Sequence, residues 1–363
     1  MFPFRKRGSI LLLTLFLVAL AAFALTAFIE KAYSEIMAEA LYAKRDELRM
    51  EAYSVLETTA AVMHSIQTFD RQLYSPEQGW GDPFMMGGVE LPEGIEADIE
   101  FIDEMGKIPL PAANREQLMR LFEVLGFDER ASQELVESLR SWIDLGEAQN
   151  SFDAFHRDYE RAEIPYRPPF RPLNSFYELA AIAGFRETFF NENGDPNELF
   201  HRFTSLVSLY RFQTINVNTA APAVLRIWSG IDESDLAAME RGSSLQFNEK
   251  PYFESVEEAS NHFGVPLGQG FGVSTHCVRM VITVSDGASD FVLSATLAQA
   301  GQADQLRPPS EINTQVDIDQ PDERRSGLGG NRGARTRRRR QPQQQMVPYP
   351  FRFLEIRENE NIL

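Results

Sequence analysis

The stretch Arg5-Lys-Arg-Gly-Ser-Ile-Leu-Leu-Leu-Thr-Leu-Phe-Leu-Val-Ala-Leu-Ala-Ala-Phe-Ala-Leu-Thr-Ala-Phe28 decides the architecture. Three cationic side chains precede Gly8, and from Ser9 to Phe28 there is no charged residue. Twenty residues at about 1.5 Å rise give roughly 30 Å of helix, the thickness of a bilayer's hydrocarbon core. The segment can therefore span, and its basic N-terminal flank places residues 1–8 in the cytoplasm and the chain beyond about residue 30 outside it.

Three readings of this segment compete. A secretory signal would be cut at a small-residue site, and Ala22-Phe23-Ala24 offers an A-x-A match. Against it, the apolar run exceeds a usual signal core, and no turn residue interrupts the chain beyond Ala27. A plain membrane anchor is the second reading. The third is a short basic leader ending in glycine, followed by an apolar helix that continues unbroken into a soluble head. For that continuation, Leu41, Leu48, Ala52, Val55, Thr59, Val62 and Ile66 recur at helical spacing, the stripe of an amphipathic helix.

Past Phe69 the segment Tyr74 to Gly88, rich in Gly and Pro, reads as loop. Ile95, Ala97, Ile99 and Phe101 then alternate with Glu96, Asp98 and Glu100, a half-buried strand, and Met105-Gly106-Lys107 turns it into a second short strand near Ile108. Leu118, Leu121, Phe122, Leu125, Leu135, Leu139 and Trp142 predict two short helices broken at Gly126-Phe127-Asp128. Ser175 and Glu178 form a capping-box pattern that starts a helix through Ile182. Ile215-Asn-Val-Asn-Thr-Ala220 reads as a short strand delivering Asn218 or Thr219 as N-cap to a helix with Val224, Leu225 and Trp228. Val278 to Val284 and Phe291 to Leu297 predict a hairpin around Ser285 to Ser289, and Tyr349 to Ile356 a returning edge strand. Between them, the Gly-, Arg- and Gln-rich run from Gln302 to Gln345 has too few apolar groups to order itself.

Several of these strings carry a resemblance. Lys6-Arg-Gly-Ser-Ile-Leu-Leu-Leu is similar to a prepilin peptidase site, and Pro165-Tyr-Arg, Pro172-Leu173, Ser175, Glu178-Leu179 and Ile215-Asn-Val-Asn-Thr-Ala follow in order the patterns of the general secretion pathway protein K family. The segment Ile102 to Pro111 resembles that family's strand-turn-strand, with prolines in place of its asparagines. The resemblance implies an α+β, pilin-like fold: a long N-terminal transmembrane and amphipathic helix packed on a small antiparallel sheet, with a large helical (SAM-like) insertion. It implies a leader at 1–8, a membrane helix at 9–28, a pilin-like helix and first strands at 29–112 and a helical insertion at 113–212. A second helical segment with sheet strands would occupy 213–300, an Arg/Gln-rich loop 301–346, and a last strand and tail 347–363.

The same resemblance implies cleavage between Gly8 and Ser9, N-methylation of Ser9, and Leu13 at the position where most pilins carry glutamate. That leucine points to a subunit with no neighbour above it. Asn216, Asn218 and Thr219 are the family-motif residues. The implied role is a minor pseudopilin at the tip of a type II secretion pseudopilus. Its partners would be minor pseudopilins I and J, the major pseudopilin and the inner-membrane assembly platform. Family members can hold calcium after a Trp-x-Asp helix end; here Trp142 and Asp144 match, Gly146 replaces an expected acid, and Glu147, Asp153 and Asp158 remain as ligands for a rearranged site. No other cofactor is expected, and no catalytic constellation.

With 35 basic against 53 acidic residues, the net charge of −18 opposes a nucleic-acid partner. The alternative function, a membrane-anchored helix-hairpin-helix-like DNA-uptake protein, rests on residues 215–231, but Asp232 and Glu233 follow where phosphate would have to sit. The lone cysteine, Cys277, reads as a buried hydrophobe, and the five histidines lack ligand spacing.

Overall fold

The computed structural model describes residues 8–88, 90–144, 159, 165–229, 250–306 and 349–359, with the side chains of 8–12, 34 and 36–43 outside that description. Helix α1 (Gly8–Asp70) runs 63 residues. At about 1.5 Å per residue it extends roughly 95 Å. No Gly or Pro occurs between Ser9 and Asp70, so nothing in the sequence breaks it. It stops where Arg71 adopts a left-handed backbone (φ 66°).

The C-terminal part of α1 lies on a four-stranded antiparallel sheet of order β1-β6-β7-β8. The strands are β1 (Glu96–Asp103), β6 (Cys277–Ser285), β7 (Asp290–Gln299) and β8 (Phe351–Glu358). Leu48, Ala52, Val55, Thr59, Val62 and Ile66 are buried against it, as their spacing predicts. Leu56 and Met63 join them and meet Met280, Ile282, Leu293 and Ala295. The β6–β7 hairpin turns at Asp286, whose carboxylate accepts from the amides of Ala288 and Ser289, with Gly287 at φ 80°. Strand β8 closes one edge of the sheet, as the alternation at 349–356 indicates.

Strands β1 and β6 are neighbours in the sheet, with Asp103 opposite Val278. Everything from residue 104 to 276 is therefore inserted between two adjacent strands. That segment contains β2 (Ile108–Pro109), paired parallel with β3 (Val207–Ser208), and β4 (Ile215–Asn216), paired parallel with β5 (Phe271–Gly272). Its helices are α3 (Arg115–Val124), α4 (Glu129–Ile143), α5 (Phe185–Phe189), α6 (Glu198–Leu206), α7 (Pro222–Ser229) and α8 (Val256–Phe263). One core unites them, from Leu118 through Phe200 to Phe271, and so spans both sides of residue 212.

Several expectations are corrected. The Tyr74–Gly88 segment is not plain loop: it holds a 3-10 turn at Pro76–Gln78 and α2 (Pro83–Gly87), capped by Asp82, because Trp80 must be buried edge-on against Phe101. The turn at 104–106 does lead into a second short strand, β2, as expected, and that strand pairs with β3. Ser175 caps a 3-10 helix (Phe176–Ala181), and Glu178 binds the Asn174 amide and Arg171 rather than the Ser175 amide, so the capping box is not made. The start of the 301–346 loop is ordered as α9 (Ala303–Leu306), with Ala303 and Leu306 buried and the Leu306 carbonyl accepting from the Arg211 amide. Two apolar side chains there suffice to dock one turn; residues 307–348 lie outside the description.

Candidate functional site

Within α1, the segment Leu13–Tyr33 has a mean hydropathy of 2.2 and none of its residues is buried. Leu13 is 59% exposed, in register with Leu17 and Leu20 on a cylinder without a charge up to Phe28. Thr26 returns its hydroxyl to the Ala22 carbonyl at 3.0 Å, so that polar group is satisfied on its own helix. Gly8 and Ser9 are the first residues of the helix. The helix is long and apolar enough to cross a membrane and enters the head without a joint.

Where α1 reaches the sheet, polar staples hold it. Lys44 Nζ lies 2.6 Å from Asp286 at the hairpin turn, and Arg49 and Tyr53 both donate to Glu358 at 2.8 Å. The Lys44 hydrogen bond, with the Ala288 and Ser289 amides, holds the Asp286 carboxyl down to about 2. Arg49 and Tyr53 likewise hold Glu358 below the ordinary carboxylate range. Tyr349 donates to Glu57 at 3.0 Å, tying the start of β8 to the same helix.

The family-motif residues converge on a carboxylate that the pattern reading passed over. Asp103 ends β1 on the inward parity of Ile99 and Phe101, where an acid is out of place in the alternation; that misfit is the signal that could have found it. Its oxygens accept from Thr219 Oγ1 and Thr275 Oγ1, both at 2.6 Å, from Asn216 Nδ2 at 2.8 Å and from the Met105 amide at 2.9 Å. Burial pushes this carboxyl up, and the donors from Thr219, Thr275, Asn216 and Met105 oppose the shift. A buried carboxylate is tolerable only with such a complement. Asn216 also donates to the Tyr74 carbonyl at 2.8 Å.

Neither Asn218 nor Thr219 is the N-cap of α7, which begins instead at Pro222. Asn218 stitches two loops, donating to the Phe253 and Val273 carbonyls and accepting from the Phe253 amide. Those partners are 35 and 55 residues away, beyond what local spacing can show. Beside Asp103, Glu104 is fully buried, 2.8 Å from Arg279 Nη2 and accepting from Ser208 at 2.6 Å. Lys107 reaches the Thr204 carbonyl, and burial lowers its pKa.

Asp144 follows α4, its amide bound to the Arg140 carbonyl. The other calcium candidates, Glu147, Asp153 and Asp158, lie outside the described residues, as do Asp232 and Glu233. Among the described residues no group of three or more His, Cys, Asp or Glu is placed to hold a metal. Cys277 is buried, and burial raises its thiol well above the usual range, as expected of a core hydrophobe.

An apolar N-terminal helix running into an α+β head, with an antiparallel sheet interrupted by a helical insertion, is the build of a pilin-type subunit. Residues 104–192 match the family "Type II secretion system (T2SS), protein K". The fold matches a chain of the crystal structure of the GspK-GspI-GspJ complex from the enterotoxigenic Escherichia coli type 2 secretion system, with a TM-score of 0.53 and 14% identity, over 90% of this chain and 99% of that one. No curated protein matches the sequence. The family and structural matches bear out the resemblance to general secretion pathway protein K.

Proposed function

We propose that this chain is the tip minor pseudopilin of a type II secretion system, where it promotes pseudopilus assembly and protein export. It is cut by prepilin peptidase after Gly8, methylated at Ser9, and held in the inner membrane with its N-terminus cytoplasmic and its head periplasmic. It packs with the I and J minor pseudopilins, on the major pseudopilin and the assembly platform. The observation that carries the reading is the α1 anchor: an unburied apolar segment continuous with a sheet-packed helix, and leucine at position 13. A glutamate at that depth costs about 3 kcal/mol on insertion scales and needs a partner from a neighbouring subunit. Leu13 needs none, which fits a subunit with nothing above it.

Intact mass of the membrane-extracted protein tests processing: loss of residues 1–8 with gain of one methyl group is expected, and an N-terminus at Leu25 or an uncleaved Met1 overturns it. Cysteine crosslinking between anchor helices tests the position. Crosslinks along one side to a J-type partner are expected, and crosslinks to major subunits both above and below would remove the tip assignment.

A further inference from the structure

The chain leaves the sheet at Asp103 and returns to it at Cys277, two crossings side by side on adjacent strands. An insertion joined by adjacent crossings can rock about them as about a hinge unless something fastens it across the joint. Besides the docking of α9, whose Leu306 carbonyl accepts from the Arg211 amide, and the stack of Tyr74 on Tyr252, the polar fastening gathers on one carboxylate. Asp103 gathers Met105 on the outgoing crossing, Thr275 on the returning one, Asn216 from the end of β4 and Thr219 from the loop after it. Asn216 passes the link on to the Tyr74 carbonyl just past α1, and the Thr275 amide donates to the neighbouring Leu73 carbonyl at 2.7 Å. Close packing leaves no slack: a Cβ built on Gly106 would lie 2.7 Å from Thr219 Oγ1.

We propose that Asp103 is a positioning residue that locks the insertion to the sheet and the end of α1 in one orientation, through the hydroxyls of Thr219 and Thr275 and the amide of Asn216. The buried Glu104–Arg279 pair beside it binds the outgoing turn to β6, and with Ser208 extends the fastening to β3. Neither contact crosses to the loop after β4, where the Thr219 hydroxyl is held by Asp103. The orientation of the insertion fixes which of its surfaces a partner subunit can reach. The lock is a property of the head and holds whether or not the subunit sits at a pilus tip.

The test uses the full-length protein in detergent, spin-labelled at the exposed Met50→Cys on α1 and Glu123→Cys on α3; the buried Cys277 stays unlabelled. The parent should give one narrow distance distribution. Asp103→Asn, which replaces an acceptor oxygen by a donor, and Thr219→Val, which keeps the shape and removes the hydroxyl, should each broaden it. Both should speed hydrogen exchange at the Met105 and Val217 amides at least tenfold while the β6–β7 ladder keeps its protection. Thr219→Ser restores the hydroxyl and should behave as the parent. A narrow distribution in Asp103→Asn overturns the proposal. So does equal loss of protection in ladder and junction, which would mean general unfolding, or a Thr219→Ser variant as loose as Thr219→Val, which would show that the hydroxyl alone does not make the lock.

Discussion

Behind α1 the core is aliphatic, with Leu56, Met63, Ile282 and Leu293 pressed between one long helix and the sheet. In the insertion it is aromatic: Phe122, Phe185, Phe189, Phe200 and Phe203 are all fully buried, with ring centroids 5.2 to 6.2 Å apart where they touch. On the sheet side, strand pairing over long sequence separations sets the geometry, and apolar volume fills it. The insertion has helices of five to fifteen residues, each marginal alone. Four of the described ones are closed by side-chain caps, Asn114 with Gln117 on α3, Asp128 on α4, Asn197 on α6 and Ser255 on α8. The lesson is that one chain can use two strategies: register and a long helix where a sheet must be held flat against one face, large rings and caps where short pieces must be gathered.

The sharpest way to break this comparison is Phe122→Ala. Phe122 contacts Phe127, Phe185 and Phe203, so its loss opens a cavity among rings that cannot close over it. Truncating a buried phenylalanine costs about 3–5 kcal/mol. The three tryptophans divide usefully, Trp80 reporting the sheet core and Trp142 and Trp228 the insertion. In urea titrations of variants retaining one reporter each, Trp142 should unfold at much lower urea while Trp80 moves little. If both midpoints shift together, the two cores form one cooperative unit, and the contrast in composition has no energetic counterpart.

A smaller effect probes how α1 is held. Asp286 and Glu358 are both held below their ordinary range by cations on α1, so the stabilisation they give is present above about pH 4 and lost as pH falls toward their folded values. For Asp286 that folded value is about 2. Both sites touch solvent, so the gain is modest and salt-sensitive. Asp286→Asn should therefore lower the melting temperature at pH 7 and leave a smaller difference from the parent at pH 3. A gap that stays constant with pH would assign the loss to the turn hydrogen bonds rather than to the Lys44 pair.

Legibility in the sequence follows the same division. The helix stripe and the strands read at 95–101 and 349–356 were legible from a sustained period, 3.6 or 2, and those at 278–284 and 291–297 from β-rich runs either side of a turn. The pair of helices around Gly126 was readable from its helical spacing. The short elements were not: Phe176–Ala181 took a 3-10 form because its carboxylate, Glu178, was drawn to Arg171 and the Asn174 amide. Asn218 and Thr219 read as local caps because their partners, Phe253 and Val273 for the one and Asp103 for the other, are remote in sequence. Only the parity of Asp103 within β1 hinted at a buried polar junction, and no local pattern names the donors that complete it.

The smallest expected effect lies in the connection between β7 and β8. Its ends are fixed by the sheet: Gln299 pairs with Phe351, the Ala300 amide donates to the Pro350 carbonyl at 3.1 Å, and the Leu306 carbonyl accepts from Arg211. Residues 324–340 hold eight arginines, no acid and a single leucine, so they offer almost no apolar surface to offset the entropy of ordering. Removing them shortens a long connection by less than half, and since a doubling of loop length costs only about 0.6 kcal/mol, the closure entropy changes by less than that, in the stabilising direction. Removing eight positive charges leaves the remaining chain more acidic, which weakly opposes the gain. Deletion of 324–340 should thus leave the thermal midpoint within a degree or two of the parent, read by the Trp80 signal. A fall of several degrees would show that the arginines bind the protein's own acidic surface. The sheet side would then rest on a polar clamp as well as on aliphatic burial, and the division drawn between the two cores would need that third element.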